Sequence, residues 1–107
     1  MSTVALAPPA AESRPTDPNR FVAFAVEADA DPGTLPRVLE LFAKRGLVPL
    51  SLSGRLVGDR LTVEIEVAGM VPAESNHVGN CLRQIPMVAR VSVIERTVPD
   101  DLPAAAD

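Results

Sequence analysis

The sequence predicts one α+β domain of order βαββαβ, a four-stranded antiparallel sheet with two helices on one face. Three observations predict it. Strand-like apolar runs alternate with helix-period stretches along the chain. The two middle strands form a hairpin whose register sorts apolar from polar residues. The length of 107 residues suits one domain.

Arg20–Glu27 (RFVAFAVE) is a compact run of aromatic and β-branched residues, which reads as a strand. Both of its faces are apolar, so a central strand covered on both sides is expected. Ala28–Gly33 (ADADPG) is a turn. Leu35, Val38, Leu39 and Phe42 then fall at i, i+3, i+4 and i+7, one stripe of a helix. Thr34 can cap its start, Pro36 suits its first turn, and Lys44-Arg45-Gly46 closes it.

Val48–Val57 and Arg60–Ala68 are strands joined by Gly58-Asp59, where Gly in the first turn position favours type II′. With Val57 opposite Arg60, Leu56 meets Leu61, Leu52 meets Ile65 and Leu50 meets Val67. Ser51, Ser53 and Arg55 meet Glu66, Glu64 and Thr62 on the other face, which places Arg55 diagonal to Glu64 and able to pair with it. Gly69–Val71 is a loop. Pro72 to about Gln84 reads as a second helix with Val78, Cys81, Leu82 and Ile85 inward, weakened by Gly79. Pro86 ends it, and Met87–Glu95 (MVARVSVIE) is the last strand. Right-handed crossovers and antiparallel pairing close this order into a ferredoxin-like sandwich. The uncovered sheet face and the edge strand Val48–Val57 are natural assembly surfaces. Val48, Leu50, Leu52 and Arg55 are expected at the interface of a homodimer or higher assembly, with the helix Leu35–Lys44 beside them.

Between Arg20 and Arg96, nine basic residues balance nine acidic ones; the ends, with one Arg against five acids, supply the whole net charge of −4. A neutral domain with three Phe and no Trp or Tyr makes a poor nucleic-acid surface, which needs clustered cations or stacking rings. No 18-residue apolar run exists, so no membrane span is expected. The first residues lack a basic n-region and a continuous apolar stretch, and Cys81 is the single cysteine; both suit a cytoplasmic setting. Residues 1–19, rich in Ala and Pro, and the acidic residues 97–107 are expected to be disordered, which leaves 20–96 as the folded domain.

His77 and Cys81 stand at i and i+4, a metal-ligand spacing, but a zinc site needs three or four ligands and none is expected here. Nor do the two make a nucleophile, since both come from one helix without oxyanion donors. Glu64 and Glu66 share a strand face and read as a solvated or interface pair. Neither catalytic residues nor a cofactor are expected. The turn Asp31-Pro32-Gly33-Thr34 is more suggestive, because it precedes a helix N-terminus. Free amides of Gly33, Thr34 and Leu35 can hold a carboxylate there, and Asp29 and Asp31 can hold an ammonium. Together these suit a free amino acid, although a plain capping turn has the same composition.

Asp31–Leu47 (DPGTLPRVLELFAKRGL) resembles the opening helix segment of ACT domains: an acidic residue or Asn, Pro-Gly, Leu, a Val/Leu stripe, a Phe and a closing Gly. Pro32, Thr34-Leu35, Arg37-Val38-Leu39, Arg45-Gly46 and the run Leu82–Val91, of the form L-x-x-[IL]-x-x-V-A-x-V, are similar to the short, single-domain regulatory small subunits of acetolactate synthase. The resemblance spans about Phe21 to Ile94. It implies a non-catalytic subunit that binds and activates a large thiamine-diphosphate-dependent catalytic subunit in branched-chain amino-acid biosynthesis. It also implies valine feedback between two ACT domains. Valine-sensitive members resemble one another in two Asn residues at positions held here by Ala30 and Val48, so weak or absent valine feedback is expected. A free-standing ACT amino-acid sensor dimer is the alternative.

Overall fold

From Val22 to Ala28, β1 buries an apolar residue at every second position, and the fold is laid out from it. In the computed structural model, which describes residues 15–98, the order is β1 (Asp17–Asp29), α1 (Thr34–Lys44), β2 (Ser51–Val57), β3 (Arg60–Gly69), α2 (Pro72–Arg83) and β4 (Val88–Thr97). The strands form one sheet in the order β2-β3-β1-β4, with every neighbouring pair antiparallel. This is the ferredoxin-like sandwich expected from the sequence. The predicted tails lie mostly outside the described residues.

Val22, Phe24, Val26 and Ala28 of β1 are wholly buried on the helix side, together with Val63 and Ile65 of β3. Val38 and Phe42 of α1 and Val78 and Leu82 of α2 close the core over them. The Phe24 and Phe42 rings meet edge to face, 5.4 Å between centroids and 77° apart, a favoured aromatic geometry. β1 is central, but it is not covered on both sides as its composition suggested. Phe21, Ala23 and Ala25 on the opposite face are only half-buried, because both helices lie on one side of the sheet.

The β2–β3 hairpin has the predicted register from Ser51↔Glu66 to Val57↔Arg60. Gly58 has φ 60° and Asp59 does not have a positive φ, which agrees with a type II′ turn and excludes type I′. At its far end β2 is shorter than expected. Pro49 has no N–H to give a ladder, and Leu50 donates its N–H to the Glu66 carbonyl at 2.7 Å instead of pairing with Val67. β1 begins earlier than expected, at Asp17, opposite Gly69. The Val98 N–H donates to the Asn19 carbonyl at 2.7 Å and extends the sheet beyond the predicted boundary.

Three residues have roles that differ from their sequence reading. Gly79 is buried, and a Cβ there would stand 3.0 Å from Val93 Cγ2, so it lets α2 lie close on β4. Arg20 occupies a helix-side position of β1 and is 5% exposed. Its guanidinium donates to the Met70 carbonyl (2.7 Å) and the Ser75 hydroxyl (3.1 Å) and ion-pairs with Glu95. Thr34 is not the cap of α1: Gly33 holds the N-cap position, and the Thr34 side chain is buried.

Gly79→Val forces a β-branched side chain into that close contact. Overpacking of this kind costs about 1–3 kcal/mol, so urea unfolding should show a lower midpoint with an unchanged slope.

Candidate functional site

The turn between β1 and α1 is held by its own backbone. Asp29 donates its N–H to the Met87 carbonyl at 2.9 Å, and Ala30 donates to the Asp59 carbonyl at 3.1 Å. The turn is thereby fixed to the start of β4 and to the tip of the hairpin. The Asp31 N–H donates to the Asp29 carbonyl at 2.9 Å.

The amides expected to be free for a ligand are partly occupied. Asp31 Oδ1 accepts the Gly33 N–H at 2.8 Å, and the Asp31 carbonyl accepts the Thr34 N–H at 2.9 Å. The chain places its own carboxylate at the positive end of α1, where an anion is favoured. The Thr34 hydroxyl donates to the Asp29 carbonyl at 2.9 Å, with Met87 Sδ 3.3 Å away, so it clasps the turn. Leu35 and Gly33 are half-buried, and the Asp29 and Asp31 side chains are exposed.

Beside this turn lies an open, mostly apolar cleft of about 270 Å³, lined by Ala30, Asp31, Pro32, Leu56 and Leu61. Its size is just under the roughly 300–1,000 Å³ of small-ligand pockets. The sequence predicts Leu56 and Leu61 as a cross-strand pair and gives no sign of a site there. The register that makes them a pair also sets them against the turn.

β2 is an edge of the sheet, and all seven of its residues are exposed. The apolar side of the hairpin is therefore buried only in its β3 half. Leu52 and Leu56 face the helix side, yet they are 46% and 65% exposed, because neither helix extends over β2. The predicted interface residues divide accordingly. Leu52 is on this uncovered side, and Leu50, just before the strand, is exposed beside it. Arg55 is on the opposite, open face. Val48 is in the segment before β2 and is 83% exposed.

On the open face, Ser53, Gly54, Arg55, Thr62 and Glu64 line a polar cleft of about 340 Å³. The expected Arg55–Glu64 ion pair is not formed, and neither residue has an ion-pair partner among the described residues. Glu66 instead takes Arg96 of β4, at 3.3 Å, and that guanidinium stands 5.1 Å over the Phe21 ring. On α2, Cys81 is half-buried with its Sγ 3.5 Å from His77 Nε2, so it is not the core-facing thiol expected. Among the described residues, no three metal-ligating side chains gather, and no helix is long and apolar enough to cross a membrane.

The family model for an ACT-like domain matches residues 16–100. The sequence matches no curated protein. Among solved structures, the ACT domain from GTP pyrophosphokinase of Chlorobium tepidum is similar, with a TM-score of 0.63 at 9% identity, over 69% of this chain and 96% of that one. The C-terminal domain of the MgtC protein from Mycobacterium tuberculosis has a TM-score of 0.60 at 15% identity, over 76% and 92%. The regulatory subunit of aspartate kinase from Thermus thermophilus has a TM-score of 0.54 at 17% identity, over 76% and 52%.

If Thr34 clasps the turn, Thr34→Val keeps its shape and loses one buried hydrogen bond, about 1 kcal/mol. Calorimetry should show a melting temperature lower by about 4–8 °C, as that loss implies for a domain of this size.

Proposed function

This chain belongs to the ACT-like domain family, and from that membership we propose that it is a regulatory subunit that senses a small apolar amino acid and activates a separate catalytic subunit. ACT domains are regulatory modules and not catalytic ones. The partner we propose is the large, thiamine-diphosphate-dependent subunit of acetolactate synthase, in the cytoplasm. Pro32, Thr34-Leu35, Arg37-Val38-Leu39, Arg45-Gly46 and the run 82–91 support this finer reading.

One observation carries the sensing role. The apolar cleft at the turn and the bare edge of β2 share Leu56. A second copy lying along β2 would cover the open side of the cleft, so ligand binding and assembly would each favour the other. The apolar lining suits a small aliphatic side chain, and the exposed carboxylates of Asp29 and Asp31 suit its ammonium. The ligand's carboxylate must compete with Asp31 for the Gly33 amide. Ala30 and Val48 offer no polar side chain, and each absent charge-assisted hydrogen bond is worth roughly 1.5–3 kcal/mol. The two together weaken binding by about two to four orders of magnitude.

Three measurements test the reading. Sedimentation at micromolar concentration should show at least a dimer; a species of monomer mass alone contradicts it. Calorimetric titration with valine, leucine and isoleucine should give a dissociation constant on the order of millimolar, and Ala30→Asn with Val48→Asn should tighten it. A low-micromolar constant for the unaltered chain would show that these two positions are misread. Added to the large subunit of acetolactate synthase, the chain should raise its rate, with little inhibition by valine. Failure to co-purify with that subunit, or to change its rate, rejects the enzyme assignment and leaves the sensing role to the titration.

A further inference from the structure

We propose that Arg55 and Glu64 are a charge pair held open for a second copy of this chain, and that they fix the register in which two β2 strands meet. The proposal rests on the dimer reading above and adds to it the alignment and the residues that set it.

The two-residue turn at Gly58-Asp59 makes Val57 and Arg60 the closing pair of the hairpin. Backbone groups alternate in direction along a strand, so Arg55 and Ser53 also turn theirs toward β3. Leu52, Gly54 and Leu56 turn theirs toward the free edge. A second copy related by a two-fold axis normal to the sheet pairs antiparallel along that edge and keeps its helices on the same side. The alignment that uses all seven residues of β2 sets Gly54 opposite its own copy and Leu52 opposite the second copy's Leu56. Gly54 stands at the axis, where its edge-facing backbone groups meet those of its own copy as a hydrogen-bonded pair, with no side chain between the flanking leucines. The two leucines on either side of it, exposed in the single chain, cover one another.

On the opposite face the same alignment sets Ser53 beside the second copy's Arg55. Ser53 is also directly opposite Glu64 in its own hairpin. Arg55 of one copy thus reaches Glu64 of the other across a small hydroxyl side chain, and the arrangement occurs twice. Each copy brings one cation and one carboxylate without an ion-pair partner of their own. The neighbouring acids do not compete for Arg55, because Glu66 holds Arg96 and Glu27 is within 4.0 Å of Arg90. Exposed ion pairs add little affinity, but like charges set against each other are costly, so such a pair selects alignment more than strength. The leucines supply the apolar burial.

The test is a charge swap. Arg55→Glu alone and Glu64→Arg alone should each weaken self-association by tenfold or more in sedimentation. Mixed in equal amounts, the two variants should form a heterodimer as strong as the unaltered dimer, seen by native mass spectrometry, since both cross-copy pairs are restored in it. A chain carrying both substitutions should recover self-association for the same reason. If the unaltered chain dimerises but neither the mixture nor the double variant recovers, the pair does not set the register, and the dimer reading stands without it. If Glu66→Arg, and not Glu64→Arg, rescues Arg55→Glu, the strands meet two residues away from this alignment, which overturns the proposal. A monomeric unaltered chain overturns both readings.

Discussion

The structure depends on β1 being paired along both of its edges while it is packed on one side only. Its helix-side residues Val22, Phe24, Val26 and Ala28 are wholly buried, and they hold both helices against the sheet. Each end of the strand is secured by a polar side chain. At the far end, the buried Thr34 hydroxyl ties α1 to the Asp29 carbonyl. At the near end, buried Arg20 gathers the Met70 carbonyl, Ser75 and Glu95. Buried polar groups are costly unless partnered, and both of these are. The positions of the turn and of α2 follow from them.

The one-sided packing also determines where function can lie. Two helices over a four-stranded sheet leave β2 uncovered on the side where its leucines point. The opposite face mixes small and charged residues with Phe21, Val57 and Ile94. The cleft at the turn is walled by residues 30–32 on one side and by Leu56 and Leu61 of the hairpin on the other, and Leu56 belongs to the bare edge strand. The cleft proposed for sensing and the edge proposed for assembly are therefore neighbours by construction. The turn between them is rigid, because Ala30 is hydrogen-bonded to the hairpin tip and Asp29 to the start of β4.

Much of this was legible in the sequence where a period carries the information. The alternation in the hairpin gave its register residue by residue, because a one-residue slip would exchange its two faces. The stripe on α1 identified Val38 and Phe42 as core. Other features have no period to betray them. Arg20 reads as a polar strand boundary, since nothing local shows that Ser75 and Glu95 will arrive beside it. Gly79 reads as a weak point in a helix until Val93 is found where a Cβ would be. Asp31 reads as a ligand for an ammonium, and nothing periodic shows that one of its carboxylate oxygens will also accept the Gly33 N–H two residues on. The hairpin's alternation puts Leu52 and Leu56 on its apolar face, but such a pattern shows which face a residue takes and not whether anything covers that face.

The two edges of the sheet are unlike. β2 presents leucines and a glycine, whereas β4 carries Arg90, Glu95 and Arg96, the charged side chains that keep a sheet rim from recruiting another strand. Growth along β2 about a two-fold axis consumes the inviting edge of both copies and leaves only the charged rims outside. On the proposed alignment two copies close a ribbon of eight strands, and the rims left outside carry the charged side chains of β4, which discourage propagation into a fibre.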